Sequence, residues 1–286
     1  MNNYMHVIEF CGFSKSYKDF NLNDLNFKIN SGFITGLIGP NGAGKTTLIN
    51  AIMNLIPPDK GEVIVFNKSM GAWEREIKQR IGFVYDEDFY YNHLSIKEMG
   101  KIIASFYSNW NHAVFKQYLT DFKLPERKKI GNLSKGMKIK FSLAAALAHE
   151  PDLLIMDEPT SGLDPVFRRR VLSILSDYIQ DGNRSVLFST HISTDLERIA
   201  DYIVYISNGQ LIFSGSKEEL LDEYFILKGP VASQPMKKHL IGLQQSPLGF
   251  EGLISKNIYS ENSFDSQVVV EKPTLDDILV YTQGDC

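Results

Sequence analysis

Cysteine is almost absent from this chain: its 286 residues include only Cys11 and Cys286. Two cysteines so far apart, one of them terminal, make no disulfide framework, and this usage fits a reducing cytosol. Long apolar runs are missing as well. The densest, Phe141 to Ala148, contains Ser142 and falls well short of the ~18 to 20 residues that cross a bilayer. No basic segment followed by an apolar block lies near Met1, so no signal peptide is expected. If the protein works at a membrane, another chain must supply the span. Excess positive charge is lacking too: the net charge is −4, and that balance does not point to nucleic acid as a partner. Internal repeats and low-complexity tracts are not found. What remains, 43% hydrophobic and 22% charged, is the composition of an ordinary globular protein. The length suits one large α/β domain with an appendage, or two modest domains.

One stretch dominates what is present: Gly39-Pro40-Asn41-Gly42-Ala43-Gly44-Lys45-Thr46-Thr47. The apolar run Phe33–Ile38 precedes it, and Leu48–Met53 follows with helical spacing. Buried strand, glycine-rich turn and helix N-terminus are the parts of a phosphate-binding loop. The glycines let backbone amides wrap an anion, and the positive end of the new helix favours a polyphosphate. Lys45 supplies a cation for the β- and γ-phosphates, and the Thr46 hydroxyl is placed for Mg²⁺. The expected ligand is a nucleoside triphosphate.

Around this loop the pattern reads as α/β. Strands are expected at 5–11, 24–29, 62–66 and 80–85. From about 87 to 150 strand signals vanish, and helices are expected near 95–107, 112–123 and 134–149. Leu153-Leu154-Ile155-Met156 has no polar alternation and suits a parallel strand buried on both faces. A helix near 166–180, a strand at 185–189, a helix at 193–200 and strands around 203–206 and 210–213 follow. After a short helix at 217–224, Gly229, Pro230, Ser233 and Pro235 read as a linker or loop. Val268–Val270 gives a weak strand signal, and Pro273 onward reads as a capped helix start.

Asp157-Glu158 closes the apolar strand, where a carboxylate can reach the nucleotide. Asp157 is the expected Mg²⁺ ligand and Glu158 the candidate general base. Further stretches then resemble the nucleotide-binding subunits of ABC transporters, in order and spacing, over roughly residues 5–215. Leu133-Ser134-Lys135-Gly136-Met137 is similar to that family's signature loop, Ser161-Gly162-Leu163-Asp164 to its D-loop, and His191 to its switch histidine. Tyr17 matches the aromatic that stacks on adenine. The physical reading agrees in part: Ser134 is placed to cap a helix, and Gly136 lets the backbone approach an anion.

The resemblance implies a P-loop NTPase core with an N-terminal antiparallel β subdomain, an inserted α-helical subdomain and a small C-terminal extension. The implied division is a nucleotide-binding domain at 1–215, its helical part at about 87–150, and an accessory region at 216–286. It further implies ATP and Mg²⁺ as cofactors, and a homodimer sandwiching two ATP molecules head to tail. Ser134 and Gly136 would serve the opposite subunit's nucleotide, Asp164 would be nucleotide-binding as part of the D-loop, and His191 would serve the γ-phosphate and attacking water. A membrane permease, supplied by another chain, would hold the motor at the cytoplasmic face of the membrane.

Two departures stand out. Where the family places a glutamine after its Ile-Gly-Tyr-Val-Pro strand, Ile81-Gly82-Phe83-Val84-Tyr85 leads to Asp86. Asp86 is expected to take over that role as a further Mg²⁺ ligand. Lys135 and Met137 replace the usual glycine and glutamine of the signature loop. Tyr85-Asp86-Glu87, Asn109-Trp110 and the signature loop resemble a Gram-positive subgroup that exports antimicrobial or amphipathic peptides such as phenol-soluble modulins. Rival readings are a membrane-bound sensor without cargo, and an ATPase acting on DNA or ribosomes. Only about 90 residues separate Lys45 from Ser134, too few for the long coiled coil of the DNA class.

Overall fold

The computed structural model describes residues 5–85, 89–261 and 267–283. Two compact units emerge, one from Met1–His191 with Val204–Ser214, the other from Ile192–Ile203 with Gly215–Cys286.

The larger unit opens with β1 (His6–Ser16) and β2 (Asn21–Asn30), paired antiparallel so that Phe10 faces Phe27 and their rings stack at 4.5 Å. β3 (Ile34–Ile38) is buried along its whole length and delivers the chain to α1 (Lys45–Ile52). β4 (Lys60–Val65) returns to pair antiparallel with β1, and β5 (Lys68–Ser69) completes a four-stranded sheet in the order β2-β1-β4-β5. Then comes α2 (Met70–Gln79), a helix absent from the sequence reading. Its signal is weak because only Met70 and Ile77 are buried, Ser69 makes no side-chain cap bond, and Trp73 leaves helical geometry.

β6 (Ile81–Val84) leads to the helical part: α3 (Ile96–Ala104), α4 (His112–Asp121) and α5 (Lys135–Leu147). Each begins where a polar side chain satisfies first-turn amides. Ser95 and Glu98 form a reciprocal capping box on α3, Asn111 caps α4, and Ser134 caps α5. The chain re-enters the sheet as β7 (Leu153–Asp157), passes through α6 (Pro165–Tyr178) to β8 (Ser185–Ser189), and adds β9 (Tyr202–Ser207) and β10 (Gln210–Ser216). The six strands lie in the order β10-β9-β3-β8-β7-β6, with β3, β8, β7 and β6 parallel. β3, β7 and β8 are buried at every position, as apolar strands covered on both faces must be. The crossover order brings the C-terminal ends of β3, β7 and β8 side by side.

The smaller unit contains α7 (Ser193–Ile199), α8 (Lys217–Asp222), β11 (Tyr224–Gly229), α9 (Gln234–Lys237), β12 (Ile241–Ser246), β13 (Gly249–Ser255), α10 (Lys256–Glu261), β14 (Val269–Glu271) and α11 (Leu275–Gln283). Its sheet runs β12-β13-β11-β14 over a core of Leu227, Met236, Leu240, Phe250 and Ile254. The stretch read as a linker or loop is therefore partly ordered structure, with α9 inside it. Within this unit, Ser193 Oγ donates to Asp276 Oδ1 at 2.7 Å, and Leu275 N–H to Glu197 Oε1 at 2.7 Å, joining α7 to α11.

Candidate functional site

The loop from Gly39 to Gly44 joins β3 to α1 at the C-terminal edge of the parallel sheet. Its glycines are sterically required at two places. A Cβ on Gly39 would stand 2.1 Å from the Ile206 carbonyl oxygen. Gly44 has φ 107°, and a Cβ there would lie 2.7 Å from Leu22 and 2.9 Å from Phe20. The turn puts Lys45 and Thr46 at the first positions of α1. Lys45 is buried, and its ammonium donates to Gly39 O at 2.8 Å and Pro40 O at 3.1 Å. Burial pushes its pKa below the ordinary 10.5, an effect opposed by the negative charges of Glu158 and Asp157.

The end of β7 supplies the other half. Thr46 Oγ1 donates to Asp157 Oδ2 at 3.0 Å, linking positions 111 residues apart in sequence. The other Asp157 oxygen accepts from Ser189 Oγ, at the end of β8. Glu158 leaves the strand with φ 49°, and its N–H is held by Ser189 O at 3.1 Å and Ser189 Oγ at 3.2 Å. Its carboxylate meets His191 Nδ1 at 2.6 Å, and the His191 N–H at 3.4 Å. Lys45, Thr46, Asp157 and Glu158, with Asn41, Gly42, Gly44, Thr47, Asp19 and Phe20, line one cleft of about 540 Å³. That size and donor set suit a nucleotide's phosphates.

Oxygen donors of the Thr46 and Asp157 type fit a hard cation such as Mg²⁺. Among the described residues no cluster of three or more His, Cys, Asp or Glu forms a metal cage. An ion held by Thr46 and Asp157 would take its other ligands from nucleotide oxygens and water, the usual arrangement for Mg²⁺.

Other expected site residues do not line this cleft. Tyr17 is 45% exposed and does not line it, although its N–H closes a turn onto Phe20 O at 2.8 Å. Ser134 Oγ accepts from Met137 N–H at 3.3 Å as the α5 cap. A Cβ on Gly136 would come within 3.6 Å of Leu163 and 3.8 Å of Gly162 O, so the segments 133–137 and 161–164 are neighbours. Asp164 caps α6, accepting from Val166 N–H at 3.1 Å and Phe167 N–H at 2.9 Å, with Pro165 at the first helical position. Asp86 lies outside the described residues. The sequence reading missed Asp19, Phe20 and Ser189. Ser189 carried a faint signal, as a small polar residue ending the apolar run Val186-Leu187-Phe188.

Residues 22–161 match the family model described as ABC transporter. The chain is 32% identical, over 76% of its length and 73% of the relative's, to a Nod factor export ATP-binding protein I of Rhizobium sp. (strain N33). The chain belongs to the ABC transporter ATP-binding family. This ABC subunit is also 33% identical to the bacitracin transport ATP-binding protein of Bacillus licheniformis, over 66% of this chain and 62% of that one. Among solved structures it is similar to an ATP-binding subunit of an ABC transporter, with TM-score 0.69 and 28% identity, covering 75% of this chain and 91% of the other. The ABC subunit thus has the mixed α/β ABC ATPase fold and is an ATP-binding, ATP-hydrolysing motor component of a transporter. No described helix is long and apolar enough to cross a membrane.

Proposed function

We propose that the cleft between α1 and the end of β7 hydrolyses ATP with Glu158 as general base, and that the energy drives export of an amphipathic or antimicrobial peptide through a separate permease. The convergence of Lys45, Thr46, Asp157, Glu158 and His191 on one sheet edge carries this reading. Lys45 neutralises β- and γ-phosphate charge from within the loop, and the backbone amides of 39–46 hold the chain of phosphates. Mg²⁺, when bound, would be held by Thr46 and Asp157 and would offset charge on the phosphate oxygens. Glu158 orients water and takes its proton, while His191, bonded to that carboxylate, steers it and reaches the γ-phosphate. Adenine stacks on Tyr17.

Ser134, Gly136 and Asp164 do not line this chain's own nucleotide cleft. That supports their use on the nucleotide of a second copy, in a head-to-tail homodimer at the cytoplasmic face of the membrane. The permease would dock on the helical part near Asp86. Phe89 and Tyr91, which follow it in the chain, are exposed, whereas Tyr90 packs on Phe141 and donates to Ser142 Oγ at 3.0 Å. The Nod factor export relative supports outward movement, and the bacitracin transport relative supports that class of cargo.

The test is the size of purified Glu158→Gln protein with and without ATP. A dimer that forms with ATP and is lost on Ser134→Arg supports the sandwich. A monomer throughout, also with co-purified permease, removes it. Peptide flux into vesicles containing the complex separates export from a cargo-free sensor, which would hydrolyse ATP without flux.

A further inference from the structure

Between α3 and α4 lies a second cavity, separate from the nucleotide cleft. Its floor is apolar. Phe115 and Leu119 are buried, and α4 approaches α3 so closely that a Cβ on Gly100 would stand 2.6 Å from the Phe115 ring. The cavity measures about 220 Å³ and is bordered by Lys97, Lys101, His112, Lys116 and Glu126. The three lysines are exposed, and none forms an ion pair with a described residue. The segment that carries the cavity is basic as well. Residues 95–140 hold ten lysines and arginines against three acidic side chains, in a chain whose net charge is −4.

Ammonium donors set over buried hydrocarbon recognise a molecule with an anionic head and an apolar body. We propose that this cavity binds an anionic phospholipid of the membrane surface, with phosphate against the lysines and glycerol or acyl carbon against Phe115 and Leu119. Lysines on a basic surface are drawn to such a membrane within a Debye length. A nucleic acid fits less well, because the phenyl ring on the border, Phe115, is buried and cannot serve as a platform for bases. From the transporter reading the proposal takes only that a membrane is close by. It is tested on the purified full-length protein without permease, so its failure and the failure of that reading are distinguishable.

The experiment is flotation with vesicles of phosphatidylglycerol and phosphatidylcholine, or of phosphatidylcholine alone, at about 0.15 M salt. The protein should float with the anionic vesicles only. The triple variant Lys97→Glu, Lys101→Glu, Lys116→Glu should lose about 100-fold in partitioning, taking roughly five-fold per lysine, while still binding ATP. A control triple with the same charge change elsewhere, Lys237→Glu, Lys238→Glu, Lys256→Glu, should keep floating. A second reading uses Trp73→Phe, which leaves Trp110 as the sole tryptophan, its ring 5.1 Å from Phe115. Its emission should shift with anionic vesicles. No flotation, or equal loss in both triples, overturns the proposal. So does displacement from vesicles by millimolar glycerol phosphate, which would mean a free-phosphate site, or by single-stranded RNA, which would mean a nucleic-acid surface.

Discussion

Ser189 Oγ donates to Asp157 Oδ1 at 2.5 Å, and the same oxygen accepts the Glu158 N–H at 3.2 Å. One buried hydroxyl therefore holds both acidic residues of the cleft, keeping Asp157 aimed at Thr46 and Glu158 in its left-handed conformation. Left-handed geometry is disfavoured for such a side chain and persists where its surroundings over-determine it.

Ser189→Ala removes that bridge without touching the nucleotide loop. A hydrogen bond to a charged group contributes about 1.5–3 kcal/mol, so the turnover number should fall roughly ten- to hundred-fold. Affinity for Mg²⁺-free ATP should stay the same while the Mg²⁺ requirement rises. Unchanged turnover and Mg²⁺ dependence would show that Ser189 only fills space.

The two aromatics near the cleft should separate by readout. Tyr17 is exposed, so Tyr17→Ala should leave the melting temperature in place and raise the KM for ATP about ten-fold, a stacking effect of roughly 1–3 kcal/mol. Phe20 packs against Gly44 and lines the cleft, so Phe20→Ala should lower the melting temperature as well. Equal effects on KM and stability for both would contradict this division.

Two glycines of the loop predict different outcomes in unfolding experiments. Gly39→Ala drives a methyl into the Ile206 carbonyl and should destabilise by about 3 kcal/mol. Gly42 has φ 79° with nothing within 4 Å of a new Cβ, so Gly42→Ala should lose only the left-handed penalty, about 1–2 kcal/mol. Denaturant midpoints with equal slopes would measure the difference.

His149 should make stability depend on pH. It is buried, stacked on Tyr107 with ring centroids 3.8 Å apart, and its Nε2 bonds to Ile81 O at 3.1 Å. Burial pushes its pKa below the ordinary 6.5. The unfolded chain then binds more protons than the native state as pH falls below 6.5, so stability is full above that value and declines toward acid. His149→Gln can keep a donor to Ile81 O without titrating. Between pH 7.5 and 5.5 the parent should lose more stability than this variant. Matching losses would place the pH dependence elsewhere.

Local signals were legible in the chain. The glycine spacing of 39–44, the cap residue Ser134 and the unbroken apolar run 153–156 all act within a few neighbours. Helix α2 was not legible, because Trp73 interrupts its geometry and few of its side chains are buried. The C-terminal sheet was obscured for a different reason. Its strands carry Gly229, Gly242, Gly249 and Gly252, and β11 finds β13 rather than a sequence neighbour.

The sequence by itself determined the phosphate loop, the acidic strand end and the order of the site's parts, since each depends on conformations that a few adjacent residues impose. Only the tertiary structure decided how those parts meet. Thr46 reaches Asp157 across 111 positions and Ser189 reaches Asp157 across 32, because the parallel order β3-β8-β7 lays three strand ends together. Pairing of that kind is set by burial of whole strands against one another, which no local pattern records.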